Sequence, residues 1–84
     1  MTAKRIVDVV GKRLREIDPL RWESVPVTMR TRFTNDEGSY DMRTIVHVHD
    51  ALEREFNIDI LDKHDLCLSI EDCFVLVNQH HDAH

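Results

Sequence analysis

Apolar positions recur at helical spacing in three stretches of this chain, and the period breaks between them. Ile6, Val9, Val10, Leu14 and Ile17 lay one apolar stripe along an otherwise charged segment, which predicts a first helix over residues 3–17. Pro19 marks its end, because the residue before a proline is steered away from helical backbone. Gly11 inside that helix costs about 1 kcal/mol relative to alanine, and its size permits close packing. A second helix runs from about Tyr40 to Phe56, with Met42, Ile45, Val48, Leu52 and Phe56 as its stripe, Val46 and Ala51 widening it, and Asn57 as the stop. Leu61 and Leu66 to Leu68 suggest a short third helix or a tight turn. Ser69 then heads S-I-E-D, a serine with an acid three residues later, and starts a last helix that buries Ile70, Cys73, Phe74 and Val77.

Between Asp18 and Gly38 no period holds. Pro19 and Pro26 forbid a continuous helix, and T-N-D-E-G at 34–38 is turn chemistry. A connection of about 20 residues is long for a small domain, and Trp22, Val25, Val27, Met29 and Phe33 are the candidates to anchor it. V-P-V-T-M-R-T-R-F at 25–33 partly alternates like a strand, but one strand without a partner elsewhere is discounted. The expected fold is all-α: a small four-helix bundle with a long loop between helices one and two. It forms one domain over residues 1–78, followed by a polar, His-rich tail at 79–84.

Composition narrows the class. The 84 residues are 42% hydrophobic and 32% charged, with two glycines and two prolines. That length supports one core, and so little Gly and Pro favours helices over a turn-rich sandwich. No window approaches the roughly 20 consecutive apolar residues of a membrane span, and the N-terminus lacks the apolar centre of a secretory signal. The expected location is intracellular: cytoplasmic, or the mitochondrial matrix for the mature form of an imported chain. Residues 1–32 hold eight Lys/Arg against four Asp/Glu and residues 33–84 three against twelve, so the net charge of −5 divides into a basic start and an acidic remainder. The acidic part argues against a nucleic-acid partner, which asks for a basic surface, and suits docking on basic patches of proteins. The basic first segment reads as the solvated back of a helix in preference to a partner-binding face.

The stretch from Gly38 to Ile60, G-S-Y-D-M-R-T-I-V-H-V-H-D-A-L-E-R-E-F-N-I-D-I, is the most informative. A serine, an amphipathic acidic helix and a short apolar segment follow one another. It resembles the central helix of the acyl and peptidyl carrier proteins, most closely in A51-L52-E53-R54-E55-F56-N57-I58-D59-I60. I6-V7-D8-V9-V10-G11 and the order of helices extend the likeness over nearly the whole chain. The resemblance implies a serine at the start of helix two bearing a covalent 4′-phosphopantetheine arm that presents an acyl or related thioester-linked group to enzymes. Partner docking would then fall to Asp41, Arg43, Val46, Asp50, Glu53 and Glu55. The implied partners are a phosphopantetheinyl transferase and acyl-processing enzymes. Relatives without an arm imply a second role, as adaptor subunits bound to small helical proteins in larger complexes.

Two registers compete for the serine. In one, Ser39-Tyr40-Asp41-Met42 supplies it at Ser39, with Gly38 in place of the family's usual aspartate and extra residues in the helix around His47–His49. In the other, Asp41-Met42 overlies the aspartate–serine pair, and methionine cannot take a phosphodiester. Ser39 is expected at a helix N-terminus in either register, where free N–H groups and the dipole favour phosphate, and equally fits a plain N-cap.

No catalytic set emerges. Ser39 has no base–orienter pair, and Cys67 and Cys73, six residues apart, lack C-x-x-C spacing and read as reduced, semi-buried thiols, since a disulfide would close a very short loop. His47 and His49 project about 200° apart on a helix and do not share an ion. His47 is expected to be exposed and His49 to border the apolar stripe. His80, His81 and His84 belong to the polar tail, and His64 sits in a connector without an assigned role.

Overall fold

The computed structural model describes residues 2–60 and 66–82, the last two by backbone only. Among these the chain is helical without a strand, and α1 (Ala3–Ile17), α2 (Pro19–Trp22), α3 (Met42–Phe56) and α4 (Ile70–Asp82) follow in order. α1 occupies the residues its stripe predicts. Thr2 caps it by accepting a hydrogen bond from the Arg5 N–H at 3.2 Å. At the other end the Asp18 N–H donates to the Leu14 carbonyl at 3.1 Å. The Asp18 carboxylate then accepts from the Arg21 N–H and starts α2, with Pro19 in its first turn. The proline read as a stop is therefore also a start, and α2 is a helix that the apolar pattern does not predict.

α1 packs against each of the other three helices. Ile6, Val10 and Leu14 from α1, Ile45, Val48 and Leu52 from α3, and Ile70, Cys73, Leu76 and Val77 from α4 form the buried core. Gly11 is buried where Val27 of the loop crosses it. A Cβ there would sit 3.4 Å from the Val27 side chain and 3.2 Å from the Arg15 guanidinium, so the close packing expected at this glycine is real. Of the expected loop anchors, Trp22 and Phe33 are buried, Val27 and Met29 are half-buried against the core, and Val25 is exposed.

Phe33 fixes the loop. Its side chain is fully buried, its N–H donates to the Leu68 carbonyl at 3.1 Å, and its carbonyl accepts from the Asp41 N–H at 2.9 Å. The extended run discounted for want of a partner thus finds two, each through one antiparallel bridge: Arg32 with Ser69 and Thr34 with Tyr40. The same segment serves α4. Thr31 and Met29 carbonyls accept from the Ile70 and Glu71 N–H groups at 3.0 Å each, while Ser69 accepts from Asp72 and Cys73. The first three N–H groups of α4, which a helix leaves without an internal partner, are thus satisfied, and the Cys73 N–H makes the first i to i−4 bond of the helix.

Three expectations need correction. The second long helix begins at Met42 and not Tyr40, because Tyr40 is held in the bridge to Thr34. Met42 and Val46, assigned to the buried stripe, are 51% and 60% exposed. Leu66–Leu68 run without helix because their backbone is drawn to the loop; Leu61 lies outside the described residues. At the end of the chain, α4 continues through residues 79–82, so the polar segment opens as a helical turn. Among the described residues no helix is long and apolar enough to cross a membrane.

Phe33→Ala should cost about 3–5 kcal/mol, a large share of the roughly 5–15 kcal/mol that holds a small domain. Urea unfolding followed by circular dichroism measures it, with Val25→Ala, at a 40% exposed position, as the control expected to stay within about 0.5 kcal/mol.

Candidate functional site

The start of α3 carries the serine question. Asn35 to Gly38 turn the chain back, with Gly38 at φ +83°, a left-handed value that favours glycine. The Asn35 Oδ1 accepts from the Glu37 and Ser39 N–H groups at 2.9 and 3.0 Å, and the Asn35 N–H donates to the Ser39 carbonyl at 2.7 Å. Ser39 is exposed in this turn, three residues before the helix, with its backbone committed to Asn35. The cap expected of it belongs to Asp41. The Asp41 carboxylate accepts from the Thr44 N–H at 3.3 Å and its carbonyl from the Ile45 N–H at 3.0 Å. Met42 is then the first helical residue.

Electrostatics at this helix start are settled internally. Burial alone would raise the Asp41 carboxyl, but hydrogen bonds from the Thr44 backbone and side chain, the Arg21 charge and the Arg43 N–H hold it below its ordinary value. Arg21 reaches Asp41 at 3.5 Å and lies 4.7 Å over the Trp22 ring. The adjoining surface depression, about 510 Å³, is lined by Asp18, Leu20, Arg21, Asn35, Asp36 and Asp41. Three carboxylates face one guanidinium there, which makes it a poor seat for a phosphodiester.

The six residues expected to dock partners divide in two. Asp41, Asp50 and Glu55 are held inside the molecule: Asp50 by Arg13 at 2.6 Å and Arg54 at 3.3 Å, Glu55 by Arg5, and Asp41 by Arg21. Arg43 and Val46 point outward, and neither Arg43 nor half-buried Glu53 forms an ion pair among the described residues. Met42, Arg43 and Val46 therefore make the outward surface of the first half of α3, with Glu53 two turns further along.

A second constellation was not legible from spacing. His49, on α3, accepts a hydrogen bond from the Cys67 N–H at 3.1 Å through Nε2. Cys67 and Cys73 are both buried and reduced. The hydrogen bond between their thiols holds Cys67 below the ordinary thiol value against the opposing effect of burial, and His49 adds to the lowering. The same bond drives Cys73 above that value, reinforced by burial. His49 is thus packed, as its place beside the stripe suggested, and His47 is half-buried in place of the exposure expected. Among the described residues no group of three or more His, Cys, Asp and Glu is placed to hold a metal; His64 and His84 lie outside them.

No protein-family model matches the chain, and no curated protein matches it significantly.

Asp41→Ala should lower stability by about 1 kcal/mol, the usual cost of losing an acidic cap, whereas Ser39→Ala should stay within about 0.5 kcal/mol. A carboxyl lowered in the folded state stabilises above its unfolded value and loses that contribution as pH falls through the folded value. The gap between wild type and Asp41→Ala should therefore be full above pH 3.8, the carboxyl's ordinary value, and shrink below it. Denaturant titrations along a pH series measure both.

Proposed function

We propose that the chain is an armless carrier-like module, an adaptor that works by protein–protein contact through the outward face of α3. One observation carries this reading. The helix start that would hold a phosphopantetheine arm opens with Met42, and its N–H groups are already engaged by Asp41. An arm is attached through a hydroxyl, and methionine offers none. The acidic depression beside Asp41 adds a repulsive field against an incoming phosphate.

The partner that fits is a helical protein segment with an apolar stripe to cover Met42 and Val46. An acid within reach of Arg43 and a base within reach of Glu53 would complete it. Apolar contact supplies affinity, and the two flanking charges set orientation. The chain makes and breaks no bond on this reading. The carrier-like part of this reading rests on the resemblance of residues 51–60 to the central helix of carrier proteins.

A second reading, a carrier with its arm on Ser39, is supported by the exposure of that serine in the turn before α3. One measurement separates the two: the intact mass of the folded protein after incubation with coenzyme A and a broad-specificity phosphopantetheinyl transferase. The adaptor reading expects no added mass. A gain of one phosphopantetheine mapped to Ser39 would establish the carrier. Once a partner is identified, Val46→Asp should weaken its binding at least about tenfold, a loss of about 1.4 kcal/mol, while Ser39→Ala leaves the affinity unchanged. Isothermal titration checks both.

A further inference from the structure

The outward side of α3 is ordered by charge along its length. Met42 and Val46 are 51% and 60% exposed there, while Ile45, Val48 and Leu52 of the same helix have no exposure at all. With about 3.6 residues per turn, Arg43, Val46 and Glu53 fall within about 80° of helix surface, and Met42 widens the sector to about 100°. Arg43 precedes Glu53 by about 15 Å along the axis, at about 1.5 Å per residue. Neither forms an ion pair among the described residues, whereas Asp50 between them is shared by Arg13 and Arg54 at 2.6 and 3.3 Å. The sector is therefore basic in its first turn, apolar at Val46 and acidic at its far end.

A surface with that order is complementary to itself reversed. Two copies laid parallel would set Arg43 on Arg43 and Glu53 on Glu53. Laid antiparallel about a twofold axis at the level of Val48, they turn Arg43 of each copy toward Glu53 of the other. The two Val46 side chains, each about 3 Å from that axis along its helix, then meet at the centre. The chain's own α3 thus offers the apolar stripe, the acid and the base that its outward face asks of a partner.

We propose that this face is covered by a second copy of the chain, α3 against α3 in antiparallel order, in a symmetric dimer. The dimer uses the face that the adaptor reading gives to a partner, yet it rests only on the exposure and charge order of α3, so either can fail without the other. Where both hold, the dimer and the adaptor complex exclude one another.

Area limits the strength of the contact. The stripe from Met42 to Glu53 is about 18 Å long and one helix, about 10 Å, wide, well short of the roughly 800 Å² per partner of a standard interface. Each copy also carries a net charge of −5, which opposes association. The dimer is therefore weak, with a Kd of about 0.1–1 mM. A partner with a longer apolar stripe displaces the second copy readily.

Sedimentation equilibrium of the full chain over about 0.02–2 mM spans that Kd. A monomer–dimer equilibrium is expected, and a monomer throughout would overturn the proposal, as would association that runs past the dimer, because a twofold contact closes on itself. Val46→Asp, Arg43→Glu and Glu53→Arg should each weaken the dimer at least about tenfold, since the axis makes every change count twice. Val75→Ser, at a 48% exposed position on the side of α4 away from its buried residues, should leave it unchanged. The sharpest sample mixes Arg43→Glu with Glu53→Arg. One variant then has two acids on the face and the other two bases, so neither pairs with itself and the two should form a heterodimer at least as tight as the wild-type dimer. A mixture that stays monomeric, with both variants folded by circular dichroism, would sink the antiparallel contact. A wild-type dimer indifferent to all three α3 changes would place the contact elsewhere on the molecule and overturn the proposal equally. A face reserved for a different helical protein gives a monomer at every concentration, with Val46→Asp still weakening that partner, and this too would end the case for a second copy.

Discussion

The short run from Met29 to Asn35, a turn at its start and extended backbone from Thr31 on, sets the rest of the structure. Its carbonyls and N–H groups alternate between two neighbours, Leu68–Glu71 on one side and Ser39–Asp41 on the other. Two helices begin where it releases them. α4 starts where Thr31 and Met29 accept its first N–H groups, and α3 starts one residue after Phe33 accepts from Asp41. Backbone groups next to a core must find partners or carry the cost of burial without them. A loop of this length meets that demand by acting as a partner for both helix starts. The buried Phe33 ring holds the run against the core, so one aromatic side chain fixes the register of both connections.

Where the pattern has many turns to repeat, the sequence is easily read. α1 matches its stripe from end to end, and α3 stops at Asn57, whose φ of 53° is the left-handed conformation asparagine tolerates. Shorter interactions are hidden. A single bridge such as Arg32 with Ser69 has no alternation to detect, so the Val25–Phe33 segment looked partnerless. The cap of α3 was ambiguous because Ser39 and Asp41 are both good capping residues. Position decided it: the turn around Gly38 binds Ser39 to Asn35 and delivers Asp41 to the helix. In the same way D-P at 18–19 reads as an ending, yet also supplies the cap and first turn of α2.

Charge tells a parallel story. The sequence divides into a basic start and an acidic remainder, and the acids of α3 looked like a surface for basic partners. Much of that asymmetry is complementarity within the fold, since Arg5 meets Glu55, Arg13 meets Asp50 and Arg21 meets Asp41. Each pair is partly exposed and worth at most about 1 kcal/mol, so their main effect is to orient α1 and α2 against α3. The basic first segment is thus more than a solvated back: three of its six arginines, Arg5, Arg13 and Arg21, pair with acids on α3 or at its cap. Charge counts from sequence cannot separate attraction within a chain from attraction between chains, because both use the same residues.

That distinction bears on function at the start of α3. A helix N-terminus offers a few free N–H groups and a favourable dipole, and these can stabilise one anion well. An aspartate in the capping position is such an anion, fixed by the chain itself. With the Asp41 carbonyl bonded to Ile45 and its carboxylate bonded to Thr44, which lowers that carboxyl against the opposing effect of burial, a phosphate on the neighbouring turn would compete for groups already engaged. Ser39 could present a hydroxyl only from outside the helix, in the turn held by Asn35. The surface left uncommitted is apolar, at Met42 and Val46, and it faces away from the core that the same helix builds with Ile45, Val48 and Leu52. Two large apolar side chains one turn apart on the outward side of a helix make a small contact stripe. On the proposed reading that stripe, and not a tethered thiol, is what the module offers to a partner.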